Sequence, residues 1–222
     1  MTGKIFPTGN TIDDLLVRCR GLPQPFIVRV SLIDVSNPFI FIDGNTMPSA
    51  YKAVGPDEGI ALEIIEAIRR VGSVKYGFAP DVETAGLRRG TPKIAIVSSP
   101  SGLLPDEDFH VLAYSMGKVH PSLQVTGAVC LGAAASLEGT VVWEAMERGI
   151  LTKDGPVSKA STDIVHEENV TKERRIVIGH GSGTIDVEVD SGNESGSTGD
   201  IKSVTVFRTA RRLFEGTILV PV

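Results

Sequence analysis

Residues Thr126 to Leu137, TGAVCLGAAASL, run without a charge, and apart from two hydroxyls they hold only small or apolar side chains. A helix of that composition has no side fit for water, so sheet or other helices must close around it. The stretch is expected to be the axle of a domain. Pro121 and Ser122 break the chain before it, and Thr126-Gly127 then offer a short hydroxyl and exposed backbone at the first turn. Unpaired N–H groups there can hold an anion, a carboxylate being the simplest. A buried core helix that merely begins near Thr126 fits the same residues.

With 222 residues, 41% of them hydrophobic and 5% aromatic, the chain is long enough for one large domain or two small ones. The net charge of −5 comes without any basic block interleaved with aromatics, which argues against a nucleic-acid partner. Cys19 and Cys130 lack metal-ligand spacing and are read as free thiols, Cys130 as a small hydrophobe inside the axle. No basic and apolar leader opens the sequence and no apolar run is long enough to span a bilayer, so the expectation is a cytoplasmic protein without a membrane partner.

In chain order, Gly3 to Asn10 reads as a strand end and a turn, and strands follow over Thr11–Val17, Phe26–Ile33 and Phe39–Ile42 as neighbours in one sheet. Gly55-Pro56-Asp57-Glu58 begins a helix whose Ile60, Ile64, Ile65, Ile68 and Val71 recur at helical spacing. Its Glu63, Glu66, Arg69 and Arg70 are expected on a solvated face, paired along the helix. Lys93–Ser98 and Phe109–Tyr114 read as strands, the second running into a bend at Gly117. Lys118 and His120 fall in the loop before the axle, facing either a ligand or solvent. Leu151 to Arg175 is polar and aperiodic and is expected as a surface excursion. Arg175–Ile178 leads into Gly179-His180-Gly181-Ser182-Gly183, which suits either an anion cradle or a tight turn, and Ile185, Val187 and Val189 alternate beyond it. Ser191–Asp200 has a flexible hairpin-tip composition, and strands over Ile201–Phe207 and within Arg211–Val220 close the chain.

Seven stretches occur together in order: PTGN at Pro7–Asn10, SNP at Ser36–Pro38, TPKIAIV at Thr91–Val97, SMGKVH at Ser115–His120, TGAVC at Thr126–Cys130, GHGSG at Gly179–Gly183 and RTARRLFEG at Arg208–Gly216. This set resembles the PrpF proteins, 2-methylaconitate cis-trans isomerase and its relatives, including 4-oxalomesaconate tautomerase and methylitaconate isomerase. The resemblance implies an α+β, diaminopimelate epimerase-like fold: two similar halves, each a mixed sheet wrapped round a central helix, with the active site between them. It further implies that this chain corresponds to the second half. Residues 1–10 would be the tail end of a first half, 11–210 the second domain, and 211–222 a terminal strand that returns to the first half and otherwise exposes a sheet edge.

The activity so implied is a double-bond and proton shift, or cis-trans isomerisation, in small unsaturated di- or tricarboxylates, without metal or organic cofactor. Such chemistry needs a base, an acid and donors for enolate-like charge. The lysine and cysteine assigned the proton transfers in those proteins belong to the half that this chain does not match. What carries over is a substrate cradle of Asn37, Met116, Gly117, Thr126, Gly127, Ser182 and Gly183, with Lys118 and His180 as the residues named for surrogate acid–base work. Ser36 stands where the family commonly has Gly, and Gly181 where it commonly has Pro, so both turns are expected to differ in shape. The alternative function is a non-catalytic carboxylate-binding or accessory protein, and the expected assembly is a homodimer or a pairing with a separate first-half chain.

Overall fold

The structure is a computed structural model, and it describes residues 3–104, 106–153, 172–191, 201–207 and 216. Its strands are β1 (Asp13–Val17), β2 (Phe26–Asp34), β3 (Pro38–Asp43), β4 (Lys93–Ser98), β5 (Phe109–Ser115), β6 (Lys118–Val119), β7 (Lys172–His180), β8 (Gly183–Ser191) and β9 (Ile201–Phe207). The helices are α1 (Ser49–Lys52), α2 (Gly59–Lys75), α3 (Val82–Ala85), α4 (Val125–Ala135) and α5 (Val141–Lys153). The strands form one mixed sheet in the order β1-β2-β3-β4-β5-β7-β8-β9, with β6 paired to the end of β5.

β3 is buried along its whole length because it lies mid-sheet between two apolar layers. Successive residues divide between them. Phe39 and Phe41 join α4 and α5 on one face, and Ile40 and Ile42 join the α2 residues Ile64, Ile65 and Ile68 on the other. In β8, Ile185, Val187 and Val189 point to the α4 layer while Asp186, Glu188 and Asp190 are partly exposed, so the sheet beyond β5 is half-solvated.

α4 is the axle. It packs on β8 and β9 from one side and on β2 and α5 from the other, so the sheet curls round it. Small residues allow this closeness: a Cβ on Gly132 would stand 3.0 Å from Val187 and 3.2 Å from Val204, and one on Gly127 would stand 3.2 Å from the Phe39 ring.

Several local expectations are corrected. Gly3–Asn10 forms bends and turns with no strand, tied to β2 by the Asp34 N–H donating to the Ile5 carbonyl. α2 begins at Gly59 with Glu58 as its N-cap, because Gly55 to Glu58 closes a turn of its own, Glu58 N to Gly55 O, 3.1 Å. Arg69 is not on a solvated face: only 4% of it is exposed, and it donates to the carbonyls of Ala85, Arg88 and Thr91, which fold over the helix. The expected pairing does occur, since Glu66 accepts from both Arg69 and Arg70 at 2.7 and 2.8 Å. Lys118 lies in the short strand β6, Leu151–Lys153 continue α5, and Lys172–Arg175 belong to β7. The expected Ser191–Asp200 tip, apart from Ser191, and the strand within Arg211–Val220, apart from Gly216, fall outside the described residues, as does 154–171. No helix among the described residues is long and apolar enough to cross a membrane.

Candidate functional site

Strand directions determine where the sequence motifs lie. β3 and β4 are parallel, as are β5 and β7, while β2 and β5 run against β3 and β4. The Ser36–Pro38 turn before β3, the Thr91-Pro92 start of β4, the Met116-Gly117 turn after β5 and the Gly181-Ser182 turn after β7 therefore all fall at one end of the sheet. β1 is antiparallel to β2 and starts at this end, directly after the Pro7–Asn10 turn. β9 finishes here at Phe207, immediately before the Arg208–Gly216 motif in sequence. The result is a rim of loops on which the first turn of α4 also sits.

Named contacts hold part of this rim together. The Ser36 hydroxyl donates to the Thr126 carbonyl at 2.8 Å, and the Cys130 thiol donates to the Asn37 carbonyl at 3.3 Å. The start of α4 has no side-chain cap on Gln124, so its leading N–H groups have no partner inside the helix. The Oε1 atom of Gln124 is buried there without a hydrogen bond. The backbone at Gly181 approaches the Pro121 carbonyl, 4.0 Å from where a Cβ would stand, which brings the β7–β8 turn beside the segment leading into α4.

The Ser36–Asn37 turn thus lies against the first turn of α4 that holds Thr126 and Gly127, and the turn holding Ser182 and Gly183 approaches the segment before α4 through Gly181. Gly183 has φ +134°, and a Cβ there would meet open space. His180 is buried and faces its own turn, its Nδ1 accepting from the Ser182 amide at 3.3 Å and lying 3.2 Å from the Ser182 hydroxyl. Met116 and Gly117 form the tight β5–β6 turn with φ +54° and +80°. They belong to the same rim but open on its α2 side, where Arg89 stands 3.8 Å from a Cβ on Gly117. Lys118 is exposed beside Ser115.

His120 was legible in the loop before α4 but was not among the residues named for acid–base work. It is half-buried, with Nδ1 2.5 Å from the Ser122 carbonyl. The carbonyl contact suits a proton on Nδ1 with Nε2 as the acceptor, whereas the Ser122 amide, 3.2 Å from Nδ1, suits the other tautomer. Cys130 is fully buried and committed to the Ser36–Asn37 turn, as its place in the apolar stretch suggested.

A groove of about 710 Å³ lies over α2, lined by Leu62, Ala67, Val71, Arg20, Arg70 and Arg89 among others. It is on the sheet face opposite α4. Among the described residues no group of three or more His, Cys, Asp or Glu is placed to hold a metal ion.

The family model described as PrpF protein matches residues 1–221. A 2-methyl-aconitate isomerase of Shewanella oneidensis is 31% identical over 99% of this chain and 51% of its own length. A second 2-methyl-aconitate isomerase, from Cupriavidus necator, matches at the same identity and coverage. A 3-methylitaconate isomerase of Eubacterium barkeri is 28% identical over 99% of this chain and 53% of its own. The chain therefore spans about half the length of the curated relatives it matches. Among solved structures, methylitaconate-delta-isomerase superposes with a TM-score of 0.65 at 26% identity, over 97% of this chain and 51% of the other. The diaminopimelate epimerase-like fold expected from the motifs, a mixed sheet round an apolar helix, is the fold observed.

Proposed function

The chain belongs to the PrpF family, and from that membership we propose that it works as an isomerase of small unsaturated di- or tricarboxylates, its loop rim holding the substrate carboxylates. The relatives named for 2-methylaconitate and 3-methylitaconate point to this substrate class. The observation that carries the reading is the convergence of the motif loops on one end of the sheet, around the uncapped first turn of α4. Backbone N–H groups of that turn, with the Asn37 and Ser182-Gly183 turns beside it, suit a carboxylate without any metal.

The chemistry asks a base to take the activated proton next to a carboxylate and an acid to return it at the far end of the allyl system. Donors aimed at the carboxylate stabilise the enolate-like charge in between. His120, in the loop leading into α4, is assigned as the base in the tautomer that carries its proton on Nδ1 toward the Ser122 carbonyl, which leaves Nε2 to accept a proton. Lys118 and His180 remain the other candidates. The chain spans about half the length of these relatives and is read from its motifs as their second half, so the rest of the acid–base machinery is assigned to a first half, supplied by a longer protein or a separate chain. Residues 1–10, 11–210 and 211–222 are read accordingly as the end of that half, the second domain and a returning strand.

The deciding experiment follows solvent deuterium into 2-methylaconitate and methylitaconate by NMR, with the chain alone and with a relative's first half added. Incorporation in either arrangement, reduced at least tenfold by His120→Gln, supports the isomerase and its base. Saturable binding with no incorporation in both arrangements overturns it in favour of a non-catalytic carboxylate-binding protein.

A further inference from the structure

We propose that Tyr76 is a positioning residue for the carboxylate-holding rim, acting through the Ser36–Asn37 turn from the opposite face of the sheet; the inference rests on the reading of that rim as the substrate site. Tyr76 is the C-cap of α2 and is buried, its ring stacked on Phe78 with centroids 4.8 Å apart. Its hydroxyl reaches the sheet and lies within hydrogen-bond distance of two carbonyls, Ile33 O at 2.8 Å and Phe39 O at 2.7 Å, between which its single proton is shared. Ile33 and Phe39 are a cross-strand pair of β2 and β3, one pair below the Asp34–Pro38 closure of the turn. A single phenol therefore ties together both strands that carry Ser36 and Asn37.

The turn is gripped from the other face as well, by Ser36 on the Thr126 carbonyl and Cys130 on the Asn37 carbonyl. With α4 above and α2 below, the orientation of the Asn37 backbone relative to the first turn of α4 follows from both helices. Burial raises the Tyr76 phenol well above its ordinary range, with the nearby Asp34 charge adding to the effect, so the group stays a donor throughout the physiological range. A buried hydroxyl needs such partners, and a core position asking only for volume would be met by Phe. Tyr76 thus links the α2 layer to the Ser36–Asn37 turn, the part of the rim that packs against α4.

The test is Tyr76→Phe, which keeps the ring and removes the hydroxyl. Two quantities are measured on the wild type and the variant: the affinity for an unsaturated tricarboxylate, and amide hydrogen exchange residue by residue without ligand. The expected result is about tenfold weaker binding, the effect of one lost hydrogen bond on an oriented site. Exchange should quicken at residues 33–39 while the α2 core around Ile64 and Ile68 is unchanged. Unchanged affinity in a variant of a wild type that binds overturns the positioning role and leaves the rim intact. Exchange that rises uniformly, together with a falling melting temperature, overturns it too, because the hydroxyl would then serve stability alone. A wild type that does not bind overturns the reading of the rim, and with it any role for Tyr76 there.

Discussion

Glu107 shows how a single acid can fix a loop. It is almost wholly buried, accepts from the Ser101 amide and hydroxyl and from the Gly102 amide, and faces His110 Nδ1 at 3.0 Å. Burial by itself would raise its pKa, but the Ser101 and His110 hydrogen bonds outweigh burial and hold the carboxyl below its ordinary range. The same balance lowers Asp13, where burial is offset by Thr8, Asn10 and Lys75, and Glu66, where it is offset by Arg69 and Arg70. A depressed folded pKa contributes stability that is present above the unfolded value, about 4, and is lost as pH falls through the folded value. Urea midpoints should hold near neutrality and drop below about pH 4, and Glu107→Gln should lower the plateau and shallow the drop. Gly179 is the partner position: a Cβ there would collide with the Glu107 carboxylate. Gly179→Ala is expected to cost about 1–3 kcal/mol in the same titration, because the acid must leave its pocket. No sequence pattern marked Glu107, and the GHGSG motif that holds Gly179 did not show their meeting, since the segment ending at Glu107 and the strand β7 come together only in the folded chain.

At the scale of elements, α5 is tied to the sheet by a charged cluster. Arg29 grips Glu144 at both oxygens, 3.0 and 2.9 Å, and Arg29 and Arg148 converge on the buried Asp43 at 3.4 and 3.3 Å. The helix start is fixed in a similar way, with the Thr140 hydroxyl accepting from the Trp143 amide and Ser31 accepting from the Val141 amide. Glu144→Ala should lower stability by about 1–3 kcal/mol in a denaturant titration, through loss of charge-assisted hydrogen bonds to Arg29. α5 was legible and went unread: Thr140 is a capping residue, and Val141, Val142, Ala145 and Met146 follow at helical spacing. The strands β4 and β9 were read with their observed limits because apolar or alternating runs bounded by turns are local signals. Arg69 was not legible. Its charge belongs by periodicity to the outward face of α2, and only α3 and the turn at 88–92, distant in sequence, bury it.

At the scale of the whole molecule, the apolar axle could be read directly because a chargeless helix admits one environment. The motif order identified the family, but no local pattern shows that those motifs share an end of the sheet. That follows from the alternation of parallel and antiparallel pairings, which is a property of topology. The same topology divides the expected cradle, setting Asn37, Thr126 and Gly127 against α4 while Met116 and Gly117 open toward Arg89 and the groove over α2. The measurement that tests the account most directly is an amide shift titration of the isotopically labelled chain with an unsaturated tricarboxylate. The rim predicts saturable shifts confined to Asn37, Val125, Thr126, Gly127, Ser182 and Gly183. Shifts concentrated instead on Arg20, Arg70 and Arg89 over α2, or no shifts at all, would contradict it.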